Sequence, residues 1–495
     1  GEARARVLLA QAQALGVLGK IAEQGEAVRE LSALAESMGD PRFAGLAAWH
    51  LGTWHGNESR WTEAETAFRR AIAHSIGAGD AELEGQARGS LGHTLRHFGR
   101  FDEARAEYEC ARRIARARGA SHSEGRAEES LGTLFGMQGR YAESWACFVR
   151  SLDLCHGVGD LEGERTARWF MGLQRVYLGD HSEGRTHLAE SLRLAQVLGC
   201  RHGEASVMLI MGLSHLRCGE FEPARGQLER CLVLRRELRD RTGESVVAGH
   251  LGQLHTALGR YEDAMRFLRV QFEIARETGE RVGVALASAF LGPVLGACGD
   301  AREARRMFGE SIPICRELSL RRVEGYALHG LAVVAAQEGE REEARSLFRE
   351  ALALRRAIGY APGLAATLCA LGGSLIETGD LDAARECLVE ARETGHRLAA
   401  QDPVVLASCH LARLPGGDGA AAEAELRARE ACLGVPARME AWFLLHRVTG
   451  DPDHLARARG LLSHLVEHAP PAAHVPMLER VPLHRQIAVV PPSAG

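Results

Sequence analysis

Two histidines four residues apart on a helix can grip a zinc ion from one face, and His93 with His97 and His464 with His468 have that spacing. Neither pair has the Glu of an H-E-x-x-H site or an evident third ligand, and a helical chain with 22 histidines produces such pairs readily. Glutamates recur at Glu84, Glu124, Glu164, Glu204, Glu244 and Glu324. At the start of a helix a carboxylate favours the positive end of the dipole and the free amides, which accounts for them without catalysis. The 12 cysteines form no C-x-x-C pair, and Cys110, Cys147, Cys231 and Cys387 sit where a small hydrophobe belongs. Lys20 is the only lysine, so no phosphate-binding G-x-x-x-x-G-K-[ST] loop exists. No G-x-S-x-G elbow or kinase signature set is present either. The residues therefore predict neither an enzyme nor a metal or cofactor protein.

The elements that carry these side chains repeat. With 495 residues the chain exceeds the size of one compact core, and at a shift of 40 it aligns with itself without insertion from residue 41 to residue 400. Leu or Met followed by a small residue recurs at Leu51-Gly52, Leu91-Gly92, Leu131-Gly132, Met171-Gly172, Met211-Gly212, Leu251-Gly252, Leu291-Gly292, Leu331-Ala332 and Leu371-Gly372, which makes nine repeats. Eight residues on comes Gly-Arg, Gly-Asp or Gly-Glu, then in several repeats an aromatic such as Phe101, Tyr141, Phe221 or Tyr261. A small residue (Ala104, Ala224, Ala264) and a bulky one (Tyr108, Phe148, Leu228) follow. The spacing of Leu91, Leu95, Ala104, Tyr108 and Ala111 predicts two antiparallel helices per repeat, helix A near 83 to 98 and helix B near 102 to 118. His50 with His55 and His250 with His255 recur in this register, which favours packing for both pairs.

Composition agrees with packed helices: 46% apolar, 5% aromatic, and rich in Ala, Leu, Glu and Arg. Sixty basic against 65 acidic residues are interspersed, so nucleic acid and anionic membrane are poor partners. No apolar run is long enough to span a bilayer, and unpaired cysteines suit a reducing, cytoplasmic setting. The preference for Arg over Lys reads as the coding bias of a GC-rich, bacterial genome. The first residue is Gly1 rather than Met, which leaves room for a lost leader or an upstream domain.

The order Leu91, Gly92, Gly99, Phe101, Ala104, Tyr108, Ala111 resembles the tetratricopeptide repeat (TPR) pattern, in the long-repeat form of bacterial regulators and mitotic-spindle adaptors. The resemblance implies an all-α, right-handed superhelical solenoid of helix hairpins whose concave wall, built from the A helices, binds a protein or peptide. Residues 1–40 read as a degenerate first repeat, 41–400 as nine repeats, 401–468 as an irregular helical cap with helices near 420–434, 436–449 and 452–468, and 469–495 as a Pro-rich tail. Pro293 and Pro313, with Ala301 in the aromatic position, predict a kink or a change of pitch in the seventh repeat.

Carrying the family's ligand slots onto this register selects Trp49, His93, Arg96, His97 and Arg126, then Trp169, Phe170, Leu173 and Tyr177, then Leu209, Ile210, Leu213, Leu216 and Arg217. The groove so drawn passes from polar to apolar and suits an amphipathic helix or a hydrophobic peptide, with the arginines free for acidic groups. The competing reading is that these side chains pack against neighbouring A helices. The family's Asn- and Lys-based carboxylate clamp is absent, since Asn57 and Lys20 miss those slots. Residues 477–487 are similar to endings of TPR arrays fused behind bacterial Ser/Thr kinase or STAND-type ATPase modules, which implies such a module as partner. The function expected is a signalling scaffold, the alternatives being a self-assembling homo-oligomer and a peptide sensor that changes superhelical pitch.

Overall fold

The computed structural model describes residues 1–17, 21–58, 60–398 and 400–490, so Lys20 lies outside it. Among the described residues the chain is helices and short connections, with no strand. No helix among the described residues is long and apolar enough to cross a membrane. The helices fall into two compact bodies, Gly1–Met171 and Gly172–Gly495.

Each repeat is a hairpin: in the second, helix A runs Ala81–His97 and helix B Phe101–Ala117. The Leu-Gly glycine sets the closeness of the pair. A Cβ on Gly92 would lie 2.6 Å from the Tyr108 ring, on Gly132 2.5 Å from Phe148, on Gly252 2.5 Å from Leu268, and on Gly292 2.3 Å from Phe308. The bulky residue of helix B thus rests on the bare backbone of helix A, where a Cβ would force that residue to shift; in the eighth repeat Ala332 fills the slot and packs in one core with Phe348. Both kinds of turn close alike. After helix A of the second repeat, Gly99 takes φ 71°, its amide reaches the Arg96 carbonyl (3.0 Å), and the Arg100 amide reaches Leu95 (3.0 Å). After helix B, Gly119 does the same at φ 66°. Equal helices with equal links produce the constant 40-residue register.

At two of these turns the left-handed residue is not glycine: Arg239 and Ser319, each at φ 54°. A Cβ in that conformation costs roughly 1–2 kcal/mol, partly offset by the lower chain entropy of a non-glycine. Ser319→Gly should therefore raise stability by about 0.5–1 kcal/mol in urea unfolding, and an unchanged or lower midpoint would contradict the strain.

Residues Glu2–Val17 and Ile21–Met38 form a hairpin that buries Ala5, Leu8, Leu31 and Ala35 with Ala47 of the next helix. In the seventh repeat the expected kink is not seen as a break, since Arg281–Ala297 and Ala301–Glu317 run helical through Pro293 and Pro313. Helix A there is packed on both sides, with Ala289, Leu291, Val294 and Leu295 all buried, and tertiary packing holds the turn that proline weakens.

The C-terminal segment departs most from expectation. Helices occupy Gly419–Arg429, Val435–Thr449 and Pro452–Glu467, and the segment expected to be a Pro-rich tail forms two more, His474–Arg480 and Pro482–Val489. They fold back over the A-to-B turns of earlier repeats. The Glu262 amide donates to the His468 carbonyl (2.9 Å), and a Cβ on Gly219, Gly259 or Gly299 would strike Cys432, Leu465 or Pro476 respectively. Met477, Ile487 and Trp442, each 0% exposed, share one apolar core with Tyr261, Cys298 and Met307. His464 and His468 belong to this seam: the His464 Nε2 donates to the Leu258 carbonyl at 3.1 Å and the His468 Nδ1 to the His464 carbonyl at 2.9 Å, so both rings serve packing.

Candidate functional site

In the N-terminal body the A helices of the first three repeats enclose a cleft of about 430 Å³. Gly56, Gly85 and Gly89 line it without a side chain to fill it, whereas the bare side of Gly52 is covered by the Phe68 ring. Trp49 stands at one side, its indole N–H donating to the Ser90 hydroxyl at 3.1 Å across to the next helix A. Trp61, from the first helix B, stacks on His97 at 3.9 Å with ring planes 16° apart, and His93 lies 4.9 Å from His97. Trp49, Trp61, His93 and Arg126 line the cleft, the last two exposed, so aromatic faces meet polar edges within one concavity. Arg96 turns away, its guanidinium 3.3 Å from the Met137 sulfur. Deeper in the third repeat Glu129 accepts from Ser151 at 3.1 Å, and burial pushes its carboxyl up to about 7 against the pull of Ser151 and Arg126.

Of the apolar residues assigned to the wall, Phe170 stacks on Phe148 at 5.1 Å with planes 5° apart, with Trp169 edge-on to it at 4.9 Å. Phe170 thereby fastens helix A of the fourth repeat to the preceding helix B. In the C-terminal body Leu209, Ile210 and Leu213 are 9%, 4% and 2% exposed. Their side chains are consumed by packing between helices and offer no open wall, whereas Leu173 and Leu216 keep part of their surface. The register placed all of them on helix A correctly but could not say how closely the next A helix would lie.

Tyr177 and Arg217, at the ends of the fourth and fifth A helices, meet residues from repeats much later in the chain. The Arg217 guanidinium carbon is 5.2 Å from the centre of the Tyr177 ring, and that of Arg322, from the start of the eighth helix A, is 4.2 Å from it. The Tyr326 and Tyr360 hydroxyls join at 2.6 Å beside them. Burial pushes the Tyr360 phenol up, but Arg217 and Arg322 outweigh it and bring the group below its usual value. His250 also faces the two arginines; burial first, then their charge, lowers it to about 4 and keeps the ring neutral. Arg322 and Tyr360 carry no sequence signal that could have selected them, because they fall on no slot of the repeat. Trp61 was missed because it lies on helix B. Among the described residues no group of three or more His, Cys, Asp or Glu could hold a metal ion.

No curated protein matches the chain in sequence. Among solved structures, that of a Rap protein complexed with competence and sporulation factor matches with a TM-score of 0.51 at 14% identity, covering 77% of this chain and 99% of its own. The Rap conjugation gene regulator of plasmid pLS20, in complex with the Phr* peptide, also gives 0.51, at 12% identity over 70% of this chain and 94% of its own. Both likenesses concern the helical solenoid fold. Family models described as tetratricopeptide repeat match residues 44–117, 85–155 and 324–394, and a further one matches 248–282. Together with the hairpin register between and beyond those matches, they show that the chain is a tetratricopeptide-repeat protein.

Proposed function

We propose that this protein is a non-catalytic scaffold that binds a peptide or an extended protein segment in the cleft of its N-terminal body. The observation that carries the reading is the concavity itself: about 430 Å³ floored by glycines and edged by Trp49, Trp61, His93 and Arg126. Indole faces supply apolar area at little entropic cost, and the exposed His93 and Arg126 provide hydrogen bonds to a peptide backbone or an acidic side chain. The shared fold with a regulator solved in complex with the Phr* peptide adds support from architecture. The assignment moves the ligand from the apolar stretch around Leu209–Leu213 to the polar end of the array, because the wall is open there while Leu209, Ile210 and Leu213 are buried.

Gly89 makes the test clean. It lines the cleft, and a Cβ there would meet nothing within 4 Å, so Gly89→Phe fills the cavity without parting a hairpin. Gly226, on a helix B of the C-terminal body, is equally open and lies outside the cleft. A displayed library of short linear peptides selected on the wild-type chain should yield binders that Gly89→Phe weakens at least about tenfold, a loss of about 1.4 kcal/mol, while Gly226→Phe leaves them unchanged. Both variants should melt no lower than wild type, since each replaces a mid-helix glycine. Selection that enriches nothing, or binders indifferent to Gly89→Phe, would remove the cleft as the binding site.

A further inference from the structure

The interior of the C-terminal body holds an electrostatic imbalance that folding alone does not explain. Arg217 and Arg322 share one tyrosine ring, at 5.2 and 4.2 Å, so their like charges lie close together. Among the described residues neither has an ion pair, and the Nη1 of Arg217, buried, has no hydrogen-bond partner. Arg355 stands behind them, 1% exposed and 5.4 Å from the Tyr326 ring, its Nη2 donating to the Gly325 carbonyl at 2.9 Å. Elsewhere on this chain arginines find carboxylates: Arg88 holds Glu84 and Glu107, and Arg305 holds Glu338 and Glu343. Desolvated cations without a counter-charge are costly, and a cluster of them surrounded by neutral phenols and a neutral imidazole calls for an anion.

Tyr177, Arg217, His250, Arg322 and Tyr326 each keep part of their surface accessible, so a small anion can reach the cluster. We propose that Arg217 and Arg322, framed by Tyr177 and Tyr326, form a carboxylate-binding site that ties the fifth repeat to the eighth. Guanidinium forks match a carboxylate in bidentate geometry, and phenol hydroxyls supply further donors to its oxygens. Guanidinium forks accept phosphate as well, so titration sets the two anions against each other. The site is separate from the N-terminal cleft and comes from non-adjacent repeats. A small organic acid and the carboxylate of a peptide would bind through the same chemistry.

The test uses the full chain and defined probes: N-acetyl-leucinate for a peptide terminus, N-acetylglutamate 1-amide for an acidic side chain, N-acetyl-leucinamide as the neutral control, and inorganic phosphate. In calorimetric titration one or both carboxylates should bind, the amide should not, and Arg217→Gln and Arg322→Gln should each weaken binding at least about tenfold. Because each variant removes one of two repelling charges, both should melt in chloride at or above the wild-type temperature, an outcome a merely structural role would reverse. The proposal falls if no carboxylate binds, if amide and acid bind alike, if phosphate binds in their place, or if the variants bind as wild type does. Carboxylate binding together with a failed peptide selection would keep this site and discard the cleft; the converse result would do the opposite.

Discussion

Acidification from pH 7.5 to 5 should destabilise the C-terminal body by several kcal/mol and the N-terminal body by less. The cause is histidine burial. His181 and His484 are 9% and 4% exposed, and desolvation is the largest influence lowering each to about 4. His250 is lowered to about 4 and His329 to about 3, again chiefly by burial. For a group whose folded value lies below its unfolded one of about 6.5, the unfolded chain takes up the proton first as pH falls. The folded state is then fully stable above about pH 6.5 and loses about 1.4 kcal/mol per group for each pH unit down to the folded value. Asp402, which burial raises to about 6, and Glu280 and Glu183, raised by burial first, act in the opposite sense, but the four histidines outnumber them. In the N-terminal body His50, 5% exposed and lowered to about 4, is opposed by Glu129, raised to about 7, while His93 and His97, also lowered to about 4, are exposed, so solvent screening weakens their effect.

Thermal unfolding at pH 7.5 and 5, with limited proteolysis assigning each transition to its body, should show the C-terminal transition falling by roughly 10 °C and the N-terminal one by less. Equal movement of both, or none, would mean that these imidazoles are hydrated in solution.

The sequence carried the hairpin almost completely. A fixed shift, the Leu-Gly pair and a bulky residue 16 positions later record one local event, a ring or leucine seated on bare helix backbone, and Gly92 with Tyr108 repeats it as Gly132 with Phe148. Local rules are legible because every repeat restates them. Features that join distant repeats are stated once and leave no period. Arg322 meeting Tyr177 is one such feature, and the glycine-floored cleft is another: it depends on Gly56 and Gly89, which are invisible to a search for side chains that reach a ligand. The C-terminal tail was misread for a related reason. The composition of 469–495 reads as a Pro-rich tail, yet Pro482 opens a helix, where its missing amide costs nothing. Ala301, which broke the aromatic pattern, stands beside the Gly299 turn where Pro476 docks, so the tail supplies the filling that the repeat lacks.

That docking yields the second large effect. Gly219 and Gly339 occupy the same A-to-B turn position, with φ 75° and 86°, and differ in what lies beyond them. A Cβ on Gly339 would meet nothing within 4 Å, whereas on Gly219 it would lie 2.0 Å from the backbone carbonyl oxygen of Cys432. Gly339→Ala should therefore cost only the left-handed strain, about 1–2 kcal/mol. Gly219→Ala should cost that and the seat of the cap, about 3 kcal/mol or more in total, because a carbonyl in a packed turn cannot give way as a flexible side chain does. Gly299→Ala, facing the Pro476 carbonyl at 2.6 Å, should behave like Gly219→Ala. Since the damage is done at the seam, it should appear first as protease cleavage between residues 430 and 490, before the repeats themselves unfold. If all three variants lose the same stability and the cap stays protected, the fold-back over the turns does not persist in solution. If the two seam variants alone release it, the C-terminal helices are a clasp, and the repeats they span are held by contacts more than 200 residues apart in sequence, between Gly219 and Cys432.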